Sequence, residues 1–458
     1  MPIATVNPAT GQTLKTFEAH TAEQVERILA RAHATNGALA ATTFAQRGAW
    51  MRRAADLLDA EAAELAALIA TEMGKTLPTA AYEVAKSARG MRHYAEHAEA
   101  YLADERPVPP AEVGASDARV VYQPLGTILA VMPWNYPFWQ VIRFAAPALM
   151  AGNTALLKHA SSVPQCALYL GELFTRAGFP AGAFQTLLLE AARTTRLLDD
   201  PRVRAVTLTG SVGAGAAVAE AAGRNIKKSV LELGGTDVFI VLPSADVAKA
   251  AEAGVASRTQ NSGQSCIAAK RFYVHEAVYA EFEERFVAGM AAQKAGDPFA
   301  ADTSFGPLAT EQGRADAHAL VEDARSKGAT VRTGGAVPDG PGWFYPATVL
   351  TGVTPRMRIY REECFGPVAC LYPVRDLAEA VERANDSPFG LSSSVWTSDP
   401  DEITALAARI EAGAVFVNGN TASFPQLPFG GIKDSGYGRE LSGFGIREFV
   451  NVKTVWVS

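Results

Sequence analysis

One cysteine of this chain lies in a setting that suits a nucleophile. Cys266 ends the run QNSGQSC, so the residues before it are small or polar. Such residues offer hydrogen-bond donors and close backbone approach, which favour a thiolate. A lone cysteine is more often a small buried hydrophobic residue, but a core cysteine has apolar flanks. The pattern therefore predicts an active-site thiol.

Two further polar residues lie in segments that restrict their position. Glu232 interrupts a strand-like apolar run before two glycines, in the sequence VLELGG. A carboxylate buried there is either bonded structurally or tuned as a general base, because an unpaired buried charge is costly. Asn135 lies in MPWNYP, where two prolines and two aromatic residues fix an amide at the end of a strand, and its alternative is an ordinary turn residue. For Glu232 and Asn135, the surrounding segment alone does not decide between the functional and the structural role.

The elements that must position these residues follow an α/β pattern. Residues 22–104 have helical spacing of apolar residues and are interrupted at Gly74 and Pro78. Strands and helices then alternate, which predicts a doubly wound parallel sheet. A second such series runs from about 238 to 420, with a helix over 245–258 entering the Cys266 loop. The elements of the first series are strands at 120–122, 127–131, 154–157, 184–189 and 203–208, with helices at 138–151 and 164–177.

Length and composition limit the class of protein. A chain of 458 residues is too long for one core and fits two domains with an appendage. The hydrophobic content of 48% and charged content of 20% are those of an ordinary globular protein. A formal net charge of -6 argues against a nucleic-acid or membrane-surface partner.

The four cysteines and the N-terminal residues indicate the compartment. Cys166, Cys266, Cys364 and Cys370 show neither CxxC nor Cys/His ligand spacing, so we expect reduced thiols and no metal site. The chain starts without a basic region followed by an apolar one, and no 18-residue apolar stretch occurs. We expect a cytoplasmic enzyme.

Over essentially its whole length, the chain resembles the aldehyde dehydrogenase superfamily. The resemblance implies an α/β fold of two doubly wound parallel-sheet domains, a Rossmann-like cofactor domain and a catalytic domain, plus a small β oligomerisation arm. The expected cofactor domain is 1–105 and 125–234, the catalytic domain 235–436, and the arm 106–124 and 437–458. It further implies a homodimer or homotetramer, in which the tail strand adds to a neighbour's sheet. The motifs that carry it, in family order, are Pro133-Trp134-Asn135, Lys158, Thr209-Gly210-Ser211, Leu231 to Gly235, Gly263 to Cys266, Glu363 to Pro367 and Pro428 to Lys433.

The resemblance implies roles for the three polar residues. The Cys266 thiolate would attack an aldehyde carbon, with the oxyanion held by the Asn135 amide and the Cys266 backbone N–H. Each such donor is worth roughly 3 kcal/mol in comparable sites. Glu232 would activate the water that hydrolyses the thioester, so release of the acyl group to coenzyme A is not expected.

The expected cofactor is a nicotinamide dinucleotide. Gly210, Ser211 and Gly215 follow a strand and open a helix, where backbone N–H groups can meet a pyrophosphate. The spacing is not that of the GxGxxG fingerprint, so the resemblance carries this assignment. Glu363 is expected on the nicotinamide ribose, with Phe365 beside it and Trp134 near the cofactor.

NADP is expected rather than NAD, although NAD is possible. A carboxylate at position 161 would repel a 2′-phosphate, whereas Ser161 can donate a hydrogen bond to it and Lys158 supplies charge. The segment 187–192 departs from the family because it lacks a glycine that many relatives carry in this loop, and Glu190 adds a negative charge.

The substrate is predicted from residues around Asn135. Arg143 follows Asn135 by eight residues, about two helical turns, and in apolar surroundings an arginine needs an anion. A structural salt bridge is the alternative. With Ser423 and Trp139, the run resembles the bacterial succinate-semialdehyde dehydrogenase branch, in which an Arg and a Ser hold the distal carboxylate; Trp139 would wall the pocket. A broad-specificity aliphatic or aromatic aldehyde dehydrogenase stays open, as does a catalytically silent paralogue, which would be expected to lose Cys266 or Glu232.

Overall fold

The alanine-rich N-terminal part forms a hairpin and four helices in the computed structural model, which describes residues 2–458. Capping boxes begin the first two helices, at Thr21 and Thr43. The predicted break at Gly74 is confirmed by its positive φ, but Pro78 begins a helix, because the first turn does not need its missing N–H. The elements are β1 (Ile3–Asn7), β2 (Gln12–Phe17), α1 (Ala22–Ala40), α2 (Phe44–Ala60), α3 (Ala62–Met73) and α4 (Leu77–Tyr101).

A six-stranded sheet follows, with helices on both faces. The strand order is β18-β8-β7-β4-β5-β6, parallel except for β18. Successive residues of β4 face opposite cores: Ile128 packs toward α2 to α6, and Leu129 toward α1 and α8. After the arm strand β3 (Asp117–Pro124), the elements are β4 (Thr127–Met132), α5 (Trp139–Met150), β5 (Thr154–His159), α6 (Pro164–Arg176), β6 (Phe184–Thr186), α7 (Ala191–Thr194), β7 (Val203–Thr209), α8 (Val212–Arg224), β8 (Lys228–Glu232) and, much later, β18 (Gly436–Tyr437).

The elements predicted for this series are found, with one difference. The strand predicted over 184–189 ends at Thr186. Beyond it the backbone finds other partners, since the Leu188 carbonyl accepts from the His20 N–H and not from a strand. Burial of the following leucines explains why the apolar run suggested a longer strand.

The second sheet has seven strands in the order β11-β12-β13-β10-β9-β15-β16, parallel except for β11. Separate apolar cores cover its two faces. These observations confirm the α/β class with two parallel-sheet domains. The elements are β9 (Val238–Val241), α9 (Val247–Thr259), β10 (Arg271–His275), α10 (Glu276–Ala291), α11 (Glu311–Ser326), β11 (Thr330–Thr333), β12 (Thr348–Thr351), β13 (Val368–Val374), α12 (Leu377–Asn385), β14 (Phe389–Gly390), β15 (Ser393–Trp396), α13 (Pro400–Arg409), β16 (Val415–Val417) and β17 (Ile432–Lys433).

The tail strand pairs within its own chain. After α14 (Ser442–Arg447), the strand β19 (Val450–Val457) runs antiparallel to β3 over eight residue pairs. The other edge of β19 has no strand beside it among residues 2–458. The residues after 435 contribute to more than the arm, because β18 lies in the six-stranded sheet and α14 packs on α4 and α5. The predicted domain limits stay predictions. Within residues 2–458, no helix is both long and apolar enough to span a bilayer.

The order of elements brings two sheet edges together. The carboxyl ends of β4, β7 and β8 lead into the segments that carry Asn135, Ser211 and Gly234. The segments that carry Cys266 and Glu363 precede β10 and β13, at the amino edge of the second sheet. All these polar segments therefore lie between the two sheets, where ligands of open α/β sheets bind.

Candidate active site

The loop before Cys266 has an unusual backbone. Asn261, Ser262 and Gly263 all adopt left-handed conformations, with φ of 52°, 58° and 75°. A side chain at position 263 would lie 2.3 Å from the carbonyl group of Gly366, so only glycine lets these two segments touch. Left-handed residues without a glycine's freedom persist only where surrounding contacts enforce them. The loop is therefore held in one conformation.

Two buried cations enforce this conformation. Arg258 donates to the carbonyl groups of Gly263 and Ala269, at 2.5 and 2.9 Å. Lys270 Nζ donates to the carbonyl groups of Ser265, Cys266 and Ala268, at 2.9–3.1 Å. Sequence reasoning missed both residues, because a basic residue in the last turn of a helix or just before a strand gives no signal that it will donate to a loop.

Burial raises the pKa of the Cys266 thiol to about 12. The positive charges of Arg143 and Lys270 oppose this rise without cancelling it. Burial and these two charges therefore act on the thiol in opposite directions, and the thiolate expected from the local sequence stays a prediction. A thiolate must form as the reaction begins.

Cys266 lies at the boundary between two cavities. The first, of about 180 Å³, is named the α4 cavity because Glu83 and Lys86 of that helix line it. The second, of about 380 Å³, is named the β7 cavity because Gly210 and Ser211, directly after β7, line it. Only Cys266 and Gln140 line both of these cavities. A group bound to the sulfur can therefore extend into one cavity and meet a ligand in the other.

Asn135 faces the cysteine loop. Its side-chain Nδ2 donates to the backbone carbonyl of Gln264 at 3.1 Å. The backbone carbonyl of Asn135 accepts from Lys75 Nζ and from Asn261 Nδ2, at 3.2 and 2.8 Å. An amide nitrogen carries two N–H donors, so one is left after the bond to Gln264. The arrangement suits an oxyanion donor, and that role stays a prediction.

Glu232 is enclosed at the end of β8. Among residues 2–458, neither of its carboxylate oxygens has a hydrogen-bond partner. Burial raises its pKa well above the usual value, and repulsion from Glu440 adds to the rise, while Arg143 and Arg439 oppose it. A carboxyl group with a raised pKa, paired with no donor, suits a general base better than a structural anion.

The β7 cavity has the features expected of a cofactor cleft. Trp134 and Phe365 pack edge to face across 5.8 Å, and Glu363 pairs with Lys270 at 3.2 Å. A side chain on Gly234 would come within 2.5 Å of the Glu363 carboxylate, so glycine makes room for that group. Glu363 is therefore part of the cavity wall.

Ser211, in the wall of the β7 cavity, is the N-cap residue of α8. The Ser211 hydroxyl accepts from the Ala214 N–H at 3.3 Å and so caps α8. Gly215 is buried against Leu233, because a side chain there would lie 2.5 Å from a Leu233 methyl group. Glycine at this position is therefore required for close packing of α8, and its predicted contact with the cofactor stays a prediction.

Neither Lys158, near the carboxyl end of β5, nor Ser161, two residues after that strand, lines the β7 cavity. Ser161 lines a small recess together with Leu188 and Leu189. Burial lowers the pKa of Lys158, which makes no ion pair among the described residues. A buried lysine without an ion-pair partner suits an anion, and the roles of Lys158 and Ser161 at a 2′-phosphate stay predictions.

The far end of the α4 cavity carries a small polar cluster. The Ser423 hydroxyl accepts from Trp139 Nε1 and from Lys86 Nζ, both at 2.9 Å. The Lys86 ammonium also lies 4.6 Å from the Trp139 ring centroid. Sequence reasoning found Ser423 and Trp139 but missed Lys86, which comes from a helix remote in sequence.

Arg143 lines the same cavity but already has an anionic partner. Its guanidinium forms an ion pair with Glu440, and both side chains are almost fully buried. It also stacks on the Phe429 ring, 4.5 Å from the centroid. The structural salt bridge that the sequence left open is therefore present, and a role of Arg143 with substrate stays a prediction.

The family model named "Aldehyde dehydrogenase family" matches residues 1–455. The chain belongs to the aldehyde dehydrogenase family. It is 69% identical, over the whole of both chains, to an aldehyde dehydrogenase of Paenarthrobacter nicotinovorans. It is 57% identical, again over the whole of both chains, to succinate-semialdehyde dehydrogenase (NADP(+)) 1 of Mycobacterium tuberculosis.

A solved structure shares the fold closely. The crystal structure of succinic semialdehyde dehydrogenase from Streptococcus pyogenes, in complex with NADP+ as the cofactor, superposes with a TM-score of 0.96. It is 37% identical to this chain, and the match covers 99% of each.

Proposed function

We propose that this protein oxidises succinate semialdehyde to succinate with NADP as the preferred cofactor. The observation that carries the proposal is the position of Cys266, between a cofactor-sized cleft and a small cavity that ends in hydroxyl and cationic groups. The names of relatives 57% and 37% identical support the same substrate and cofactor. A compact substrate with one aldehyde and one carboxylate matches such a cavity.

The chemistry begins at the sulfur. Cys266 Sγ gives up its proton to water and adds to the aldehyde carbon, and the electron pair of the C=O bond moves to the former carbonyl oxygen. The free N–H of the Asn135 amide and the backbone N–H of Cys266 donate to that oxygen. Stabilisation of this oxyanion by the two donors favours the attack.

Bound NADP supplies the acceptor for the hydride that leaves the carbon attached to sulfur. Trp134, Gly210, Ser211, Glu363 and Phe365 would hold the nicotinamide part, because they line the cleft that opens onto Cys266. The carbon is then a thioester of Cys266. The two-cavity arrangement keeps the acyl chain and the cofactor on opposite sides of the sulfur.

Glu232 completes the cycle by hydrolysis. Its carboxylate takes a proton from water, the resulting hydroxide adds to the thioester carbon, and the C–S bond breaks to release the acid. The raised pKa matches this role, since a more basic carboxylate is a stronger proton acceptor near neutral pH.

The preference for NADP is assigned to Lys158 and Ser161. A lysine without a carboxylate partner and a nearby hydroxyl suit the 2′-phosphate, and no carboxylate stands at position 161 to bind free ribose hydroxyls. NAD remains usable in this proposal, because the nicotinamide end is unaffected. A homodimer or homotetramer through the β3–β19 arm, and a cytoplasmic location, belong to the same proposal.

The second candidate function is a broad-specificity aldehyde dehydrogenase. The ion pair between Arg143 and Glu440 favours it, because Glu440 already neutralises the charge that a substrate carboxylate would meet. The two functions differ in whether a distal carboxylate raises catalytic efficiency.

A panel of aldehydes tests the proposal. The purified enzyme is given succinate semialdehyde, butanal and benzaldehyde, each with NADP and with NAD, and kcat/KM is measured from the absorbance of the reduced cofactor. We expect the highest value for succinate semialdehyde with NADP. Equal values for butanal would support the broad-specificity enzyme, and no oxidation of any aldehyde would reject both.

A further inference from the structure

The ammonium of Lys270 lies behind the peptide group that would donate to the oxyanion. Lys270 stands just before β10, and its side chain is almost fully buried. Its Nζ donates to the Ser265 carbonyl at 3.0 Å. That carbonyl and the Cys266 N–H belong to one trans peptide group, so they point in opposite directions. The ammonium and an oxyanion held by the Cys266 N–H would therefore lie on opposite sides of the same peptide.

The Cys266 N–H is not used by the fold. Among residues 2–458, no backbone carbonyl accepts from it. The N–H groups that follow are used, since Ala268 donates to the Ser265 carbonyl at 3.2 Å and Ala269 donates to the Ser257 hydroxyl at 3.0 Å. An unpaired N–H beside the sulfur suits an oxygen that forms on a carbon attached to that sulfur.

The loop uses all the donors of the Lys270 ammonium. Besides the Ser265 carbonyl, it reaches the carbonyl groups of Cys266 and Ala268, at 2.9 and 3.1 Å. An ammonium has three N–H groups, so none is left for a ligand. Glu363 Oε1 lies 3.2 Å from Nζ but has no hydrogen-bond partner among residues 2–458. Lys270 can therefore act on the reaction only through its charge and through the peptides that it holds.

A charged donor on a carbonyl strengthens the N–H of the same peptide as a donor. Hydrogen bonds to a charged group are about twice as strong as neutral ones, and bonds linked in a chain polarise each other. Lys270 and Ser265 are both buried, so solvent screens this charge only weakly. The effect is larger on an oxyanion than on the neutral carbonyl of the aldehyde, and it therefore favours the transition state.

We propose that Lys270 is a positioning residue for the reaction, whose ammonium holds and polarises the Ser265–Cys266 peptide so that the Cys266 N–H stabilises the oxyanion. This role rests on the proposed function, because it concerns the oxyanion that forms when an aldehyde adds to Cys266. It extends the part that Lys270 plays in fixing the loop to the charge that develops in the reaction.

The charge of Lys270 also acts on the thiol, and that effect can be measured separately. Lys270 and Arg143 lower the pKa of the Cys266 thiol, whereas burial, Glu363 and Asp237 raise it. Alkylation of the sulfur by iodoacetamide requires the thiolate but forms no oxyanion. Its rate reports the thiol alone, while the rate of the first turnover with an aldehyde reports the thiol and the oxyanion together.

Lys270→Met tests the role by comparing these two rates. Peptide mass measures the alkylation of Cys266 without aldehyde, and stopped-flow absorbance measures NADPH formation with the enzyme in excess over succinate semialdehyde and with saturating NADP. Both rates should fall, because the thiolate loses a nearby positive charge. The ratio of the first-turnover rate to the alkylation rate should also fall, by about tenfold. This is less than the roughly 100-fold cost of removing a whole oxyanion donor, because the N–H itself remains.

Arg258→Met is the matched control. Arg258 is the other buried cation that holds this loop, but it donates to the Gly263 and Ala269 carbonyls, which do not belong to the Ser265–Cys266 peptide. The ratio of the two rates should therefore stay as in the wild type. A ratio that falls equally in Arg258→Met would assign the effect to the shape of the loop and overturn the role of Lys270. Equal losses of both rates in Lys270→Met would overturn it too, because the oxyanion would then not be involved.

The wild-type enzyme separates a failure of this role from a failure of the proposed function. If it oxidises no aldehyde, both are rejected. If it prefers butanal, only the semialdehyde substrate is rejected, since every aldehyde forms the same oxyanion and the two rates are then compared with butanal. A first turnover whose ratio to alkylation survives Lys270→Met rejects the role of Lys270 alone. Thermal unfolding checks that each variant is folded; Lys270→Gln, which also lacks the charge, replaces Lys270→Met if that variant unfolds.

Discussion

The reactivity of the Cys266 thiol depends on the groups around it. Burial raises the pKa of the Cys266 thiol to about 12, and the charges of Arg143 and Lys270 oppose that rise. Attack on an aldehyde becomes favourable when the Asn135 amide and the Cys266 N–H are available to the new oxyanion. Selectivity for aldehydes is thus a property of the donors as well as of the sulfur.

The preference for NADP over NAD gives a prediction at the scale of a single residue. Ser161→Glu should lower the ratio of kcat/KM with NADP to that with NAD by at least roughly tenfold, since like charges in contact cost more than about 1.4 kcal/mol. The dissociation constant of NADPH, measured by fluorescence titration, should rise in parallel. Ser162→Glu, one residue further along, is the control and should leave the ratio unchanged. An unaltered ratio in Ser161→Glu would place the discrimination elsewhere.

Sequence reasoning identified the candidate site residues that are recognisable from the residues next to them in the chain. Cys266, Glu232 and Asn135 stand out because their own segments combine glycine, proline and polar residues in ways a core segment does not. Lys270, Lys86 and Gln140 did not stand out, because each looks like an ordinary helix or strand residue until the tertiary fold turns it to the site. The packing of Gly215 against Leu233 could not be predicted either, because a glycine after a strand can serve packing as well as phosphate approach.

At the scale of elements, the junction between α4 and α5 positions the site. Glu83 accepts from the backbone N–H groups that begin α5, and Lys75 connects Glu83 to the carbonyl of Asn135. The start of α5 is thus held by a carboxylate at its positive end, which is the favoured sign. This buried pair ties the helical layer to the oxyanion donor.

The Lys75–Glu83 pair gives a stability prediction. Lys75→Met leaves a buried carboxylate without its cation and should lower the free energy of unfolding by about 3–5 kcal/mol. The double variant Lys75→Met/Glu83→Gln should cost less than Lys75→Met alone, because no unpaired charge remains. Urea unfolding followed by circular dichroism measures both. Lys249→Met, in an exposed ion pair with Asp246, is the control and should change little. A double variant as unstable as the sum of the single variants would contradict the pairing.

At the scale of the whole molecule, two parallel sheets meet edge to edge with the chemistry between them. The alternation of strands and helices was enough to predict both sheets, since each βαβ unit is local. Sequence could not predict that β18 returns from residue 436 to the first sheet, or that β19 pairs with β3, because those contacts join segments hundreds of residues apart. The substrate cavity could not be predicted from the sequence for the same reason, because α4 and residue 423 meet only in the folded chain.

The junction of the two sheets also makes stability depend on pH. Burial raises the pKa of Asp237, just before β9, from 3.8 to about 8, with Lys270 opposing the rise. The folded form therefore holds a proton that the unfolded form releases, so this contribution is present below about pH 4 and is lost as the pH rises to about 8. The slope is at most about 1.4 kcal/mol per pH unit.

Replacement of Asp237 tests this dependence. Asp237→Asn cannot ionise, so its free energy of unfolding should fall less between pH 5 and pH 8 than that of the wild type. Urea unfolding at several pH values in this interval measures the two curves, and their difference in slope matters because the substitution also has a constant cost. Parallel curves would mean that Asp237 does not carry the pH dependence.

The central claim is that an acyl group from succinate semialdehyde becomes bound to Cys266 and is removed by water that Glu232 activates. The intact mass of Glu232→Gln, measured shortly after addition of succinate semialdehyde and NADP, tests it most directly. We expect one equivalent of NADPH in a burst and a gain of one succinyl group, which peptide mapping assigns to Cys266 and which Glu232→Gln/Cys266→Ala lacks. Steady NADPH formation without an adduct, or an adduct on another residue, would contradict the account.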